Sequence, residues 1–147
     1  MAKFQIHNVA QIKEANIELG DFTVLIGPQA SGKSIFLQLM KLALDGFDIK
    51  STIKRYGFDW NGNKQDFLQL YFGEGMGNII RDDSKITVDN NSFTVQSILS
   101  SRRGKNESVF LIPAQRVMTF QNGWPRNFMS FETFDPYVVK KFSEDLR

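Results

Sequence analysis

"FTVLIGPQASGKSIFLQLMKLALD" covers residues 22–45 and changes character twice. Its first six residues form a continuous apolar run, too short for a helix and of the composition that a strand buried on both faces carries. Residues 27–34, "GPQASGKS", fit the pattern G-x-x-x-x-G-K-[ST]. Residues 33–45 are rich in helix formers, with Ile35, Phe36, Leu39, Leu42 and Ala43 spaced for one buried face and Gly46 placed as a stop. The reading is a central strand over 22–27, a glycine-rich turn, and a helix from about Gly32 to Leu44.

The pattern in 27–34 recurs by chance in many chains, so its setting between a buried strand and an amphipathic helix gives it weight. A phosphate chain is strongly anionic, and a helix N-terminus offers free N–H groups and the positive end of a dipole. Gly27 and Gly32 let the backbone wrap closely. The candidate binding set is Gly27, Gln29, Ala30, Ser31, Gly32, Lys33, Ser34 and Ile35. Lys33 would reach the β- and γ-phosphates, and the Ser34 hydroxyl would ligate Mg²⁺.

Before this stretch, "KFQIHNV" (3–9) and "IKEANIEL" (12–19) alternate apolar and polar residues and predict two strands of a hairpin at a sheet edge. After it, the signals weaken over residues 46–84, read as an insertion with short helices in "DIKSTIKRYG" (48–57) and "KQDFLQLYFG" (64–73) and a loop in "GEGMGN" (73–78). "KITVDN" and "SFTVQSI" predict a hairpin across 85–98, turning at Asn90 and Asn91. "SVFLIP" (108–113) is a second buried-strand candidate. Residues 114–136 read as a packed irregular loop. The segment 136–147 begins with a proline suited to a first helical turn, and places Tyr137, Val138 and Phe142 on one side of a helix.

Composition bounds the function. The chain has 147 residues, 41% hydrophobic and 23% charged, enough for one domain with a real core. It has no cysteine and a single histidine, His7, which leaves no basis for disulfides or a cysteine zinc site. A formal charge of +2 is too small to argue for nucleic-acid binding, and the cluster Arg102, Arg103, Lys105 reads as a solvated turn. No signal peptide or membrane-length apolar run is present, so a cytoplasmic location without membrane association is the expectation.

The stretch from Phe4 to Leu44, with the loop at its centre, resembles the start of ABC-type ATPase heads of the SMC, RecF and RecN kind. It is most similar to the AAA-labelled ATPases of OLD-type (overcoming lysogenisation defect) and phage-defence systems. "VFLIPAQR" (109–116) resembles a segment that follows a strand in that group. The resemblance implies an α/β phosphate-loop NTPase fold with an antiparallel hairpin flanking the loop strand. It also implies that ATP and Mg²⁺ are the cofactors and that residues 27–34 form the Walker A loop. Gln115 becomes a candidate for the glutamine that senses Mg²⁺ and the γ-phosphate, with a solvent-facing loop glutamine as the alternative. Arg116 is either a nearby phosphate or interface contact or one half of a surface ion pair.

Such heads also carry a signature segment, a Walker B strand ending in Asp-Glu, a D-loop and a switch histidine. None is found here. The acids of "NIIRDD" and "KITVDN" are poor substitutes, because neither follows an uninterrupted apolar strand. Residues 1–147 are therefore expected to form an N-terminal lobe, with 136–147 opening a helical arm or subdomain. Hydrolysis would need a C-terminal half or a partner, as a homodimer or second ATPase half sandwiching the nucleotide. DNA or a nuclease would be a partner of the full system. A small kinase and a non-catalytic nucleotide-binding module are the competing readings.

Overall fold

The computed structural model describes residues 2–104 and 106–147. Lys105, and with it one member of the basic cluster, lies outside the described residues. Arg102 and Arg103 are exposed.

Strands β1 (Lys3–Val9) and β2 (Ile12–Glu18) form the expected antiparallel hairpin. Strand β3 (Ile80–Val88) pairs antiparallel with the other edge of β1, and the short β4 (Asn91–Phe93) closes the order β2-β1-β3-β4. Alternation sends Phe4, Ile6, Ala15, Ile17, Ile86 and Val88 to one face, where they meet the helices. The β3–β4 turn is made by Asp89 and Asn90, both with positive φ, one residue earlier than the predicted Asn90–Asn91 turn. Two consecutive left-handed residues match the twist of a hairpin, and Asp and Asn tolerate them.

The predicted strand over 92–98 is realised only in part. Thr94 caps helix α3 (Val95–Ser100) by accepting from the Ser97 N–H at 3.2 Å, and Val95 and Ile98 are buried. A hydroxyl cap overrides the β-branched local signal.

Helix α1 runs over Lys33–Arg55, well beyond the predicted end at Leu44, with non-helical angles only at Asp45. Gly46 does not stop it. A Cβ at Gly46 would lie 2.5 Å from Ile98 Cδ1, so this glycine is there to let α3 approach. The stop comes at Gly57, whose φ of 80° ends the second half of the helix. Helix α2 (Lys64–Phe72) is capped by the Asn63 side chain, and α4 (Tyr137–Asp145) buries Tyr137, Val138 and Phe142 as expected. The core joins the sheet to α1, α2 and α4. The Phe4 and Phe36 rings meet edge-on at 6.0 Å, and the Tyr71 hydroxyl donates to the Gln38 carbonyl at 2.8 Å.

The two strands predicted to be buried are corrected. Neither 22–27 nor 108–113 joins a sheet. Exposure alternates in 108–113, where Leu111 packs against the core and Phe110 and Ile112 are 59% and 57% exposed; in 22–27 only Leu25 packs against the core, and Phe22, Val24 and Ile26 are 87%, 59% and 91% exposed. Composition suited to burial on both faces is thus satisfied on one face only.

Candidate functional site

The loop 27–34 is built from its two ends. Strand β2 begins at Ile12, and Gly32 rests on that side chain: a Cβ at Gly32 would lie 2.6 Å from Ile12 Cγ1. Gly32 also has φ +96° and is the N-cap of α1, with its carbonyl accepting from the Phe36 N–H at 2.8 Å. Ala30, two residues earlier, has φ +61°. These left-handed residues fold the backbone into a concave turn at the positive end of a long helix, the arrangement that receives anions. Gly27 completes it: a Cβ there would come within 3.3 Å of Ser31 Oγ.

Lys33 does not extend into solvent. Its ammonium donates to the carbonyls of Gly27 at 2.8 Å and Pro28 at 2.6 Å and to Ser31 Oγ at 3.1 Å, tying the two ends of the loop together. This places the charge within the loop. Ser34, Gln29, Ala30 and Ser31 are exposed, while Ile35 is half-buried. A cavity of about 440 Å³ adjoins the loop and is walled by Ile12, Ala15, Ile17, Val24, Ile26 and Phe36. The residues present fit a nucleoside triphosphate with its metal: Lys33 and the N-terminus of α1 would hold the phosphates, and the Ser34 hydroxyl would be a metal ligand.

The rest of the expected site is not brought together. Gln115 is exposed at the start of a 3-10 helix (Arg116–Thr119), its carbonyl accepting from the Met118 N–H, and its side chain makes no hydrogen bond to the loop among the described residues. Arg116 is exposed beside it. Asp83 accepts from the Asn8 side chain at 3.1 Å and lies 3.6 Å from Arg81, and Asp89 caps the Lys3 N–H at 2.8 Å, so both serve the sheet. Among the described residues, no cluster of three or more His, Asp or Glu could hold a metal ion.

Sequence reasoning missed a second polar group, on α1. Lys41 and Asp45, each 2% exposed, bind the backbone of Ser108 and Val109, and Lys41 also meets the Glu107 carboxylate. Burial pushes the Asp45 carboxyl up, but hydrogen bonds from Ser108 and Val109 and the nearby Lys41 ammonium outweigh it and hold it below the ordinary range. Spacing carried no signal for this pair, because Lys41 and Asp45 lie off the stripe formed by Ile35, Phe36, Leu39, Leu42 and Ala43.

A glycine-shaped loop at the head of an amphipathic helix, with a lysine drawn onto it, is the geometry expected of a nucleotide-binding module. A family model for an AAA domain matches residues 3–126, and the chain belongs to that family of phosphate-loop ATPases. Membership implies ATP, usually with Mg²⁺. No curated protein and no solved structure matches the chain. Among the described residues, no helix is long and apolar enough to cross a membrane.

Proposed function

We propose that the chain is the ATP-binding lobe of an ABC/SMC-like head, of the kind found in OLD-type phage-defence and DNA-maintenance ATPases. In this reading, hydrolysis requires a C-terminal half or a partner subunit. The observation that carries it is the loop itself: left-handed Ala30 and Gly32, Gly27 pressed against Ser31, and Lys33 already drawn onto the loop carbonyls. Phosphoryl transfer depends on positioning and charge, so a loop alone holds ATP without orienting the water.

The need for a second half is supported by the extended segments 22–27 and 108–113. Each packs a leucine on the core, Leu25 or Leu111, and leaves large apolar side chains mostly exposed, and no strand pairs with either among the described residues. Apolar strand edges left open are ordinarily covered. A second half pairing with them would bring its acid and signature residues to the same loop, and a nucleotide sandwich would then link two heads. DNA or a nuclease remains the proposed partner of the assembled system.

ATP titration by calorimetry, with turnover assayed alone and after adding a C-terminal half or partner subunit, tests this. Binding with negligible turnover alone and a gain on addition supports it. Robust turnover by the isolated chain, abolished by Lys33→Ala, would refute the need for a partner. Binding with no gain from any added half would favour a non-catalytic module.

A further inference from the structure

The Lys41–Asp45 group is costly to bury and is placed at one particular joint. Asp45 Oδ1 accepts from the Ser108 N–H at 2.9 Å and the Ser108 hydroxyl at 2.6 Å, and Oδ2 accepts from the Val109 N–H at 2.9 Å. Lys41 lies 3.3 Å from Asp45 and 2.6 Å from Glu107, and donates to the Val109 carbonyl. Lys141 of α4 holds the other Glu107 oxygen at 2.9 Å.

Apolar residues of similar volume would cover this spot at least as well, since a buried ion pair seldom adds net stability over such a replacement. What the polar pair adds is register. Two successive N–H groups and one carbonyl of the 107–109 backbone are read by one carboxylate and one ammonium, so a one-residue slip would leave buried groups unpaired. The pinned point also coincides with the only non-helical residue of α1. Between Lys33 and Leu44 the helix is unbroken, a rod of roughly 18 Å at ~1.5 Å per residue. One end of that rod carries the phosphate loop and the other carries the pin.

We propose that Lys41 and Asp45 link the phosphate loop to residues 107–113, so that nucleotide occupancy sets the position of that segment and of the bare Phe110 and Ile112 side chains. They are positioning residues and touch no nucleotide. The inference rests on the reading that the loop binds ATP. A shift of the rod on phosphate binding is carried to Ser108 and Val109 because their amides are held by the same rod, whereas α1 beyond Asp45 is free to stay on α3.

The test is amide hydrogen exchange at Ser108 and Val109 with and without ATP and Mg²⁺, on the full chain. In the wild type, ATP should change exchange at both amides by at least about fivefold, within the usual range of coupling between sites. Asp45→Asn, which turns one acceptor into a donor facing these amides, should bind ATP within about threefold of wild type by calorimetry yet lose that response. Lys41→Met, which keeps the length and removes the charge, should lose it too and decides the matter if Asp45→Asn does not fold. ATP binding without any exchange change at these amides, or a full response in the folded variants, overturns the link alone. Failure of the wild type to bind ATP overturns the reading of the loop and the link with it.

Discussion

Replacing Gly32 by alanine tests whether the loop is shaped by its contact with β2. Two costs add. At φ +96° an L-residue is held in the left-handed region, a penalty of about 1–2 kcal/mol. The new methyl would also stand 2.6 Å from Ile12 Cγ1 and 3.2 Å from Cδ1, and since Ile12 is buried, the overpacking adds about 1–3 kcal/mol. The sum, about 2–5 kcal/mol, is a large share of a typical domain's stability, and at roughly 3–4 °C per kcal/mol for this size it lowers Tm by about 6–20 °C. ATP binding should be lost with it, because relief of the clash moves the N-terminus of α1. The assay is thermal melting with ATP titration on Gly32→Ala, Ile12→Ala and the pair. Ile12→Ala removes the steric part only, so the double variant should be less destabilised than the sum of the two by about 1–3 kcal/mol. A Gly32→Ala protein that melts within two degrees of wild type and binds ATP normally would refute the proposed geometry.

Further expectations follow from particular contacts. Lys33→Ala removes the loop's own tie and its charge, so ATP affinity should fall by about 30- to 1000-fold by calorimetry, with Tm moving only a few degrees because those bonds are exposed. Ile26→Thr alters a side chain that is 91% exposed, so the isolated chain should keep its stability to within about 0.5 kcal/mol in chemical denaturation, while any stimulation by a partner half should weaken. Lys140 donates to the Thr133 carbonyl at 2.8 Å with its ammonium over the Phe58 ring, and burial lowers its pKa to about 8 despite the nearby Asp135 and Glu132. The unfolded chain binds this proton more tightly, so stability should rise by about 1–2 kcal/mol between pH 7.5 and 9.5, a slope that Lys140→Met should abolish in denaturant titrations.

What was legible in the sequence was whatever depends on short range. Strict alternation located β1 and β2 almost to the residue. The apolar stripe of 136–147 gave the buried face of α4, and the loop pattern put Gly32 at the head of α1. What failed depends on partners elsewhere in the chain. Gly46 reads as a helix stop until Ile98, some fifty residues on, is seen to occupy the space its side chain would need. "TVQSI" reads as a strand until Thr94 is seen capping a helix. Lys41 and Asp45 carry no signal in the sequence, since what they bind is the backbone of Ser108 and Val109, more than sixty residues on.

Segments 22–27 and 108–113 depart from their predicted strands for the same physical reason. A run such as FTVLI carries no information about which strand pairs with it; it records only that apolar side chains on both faces would be at home among neighbours. In this chain Leu25 and Leu111 pack against the core and Phe110 meets the Phe142 ring at 5.9 Å, while Phe22, Val24, Ile26 and Ile112 stay largely exposed. Exposed large apolar side chains, Phe22 and Ile26 leading into the loop 27–34 and Phe110 and Ile112 beyond the Lys41–Asp45 pair, are what an interaction surface carries. If the proposed second half covers that surface, the α1 rod has a nucleotide at one end and, through Lys41 and Asp45, part of the interface at the other. ATP binding and partner docking would then be coupled, each raising affinity for the other by the same factor. The experiment is to measure ATP affinity with and without the partner half, and partner affinity with and without ATP. Equal factors in wild type that shrink toward one in Asp45→Asn are the expected result, and undiminished coupling in that variant would place the connection elsewhere in the lobe.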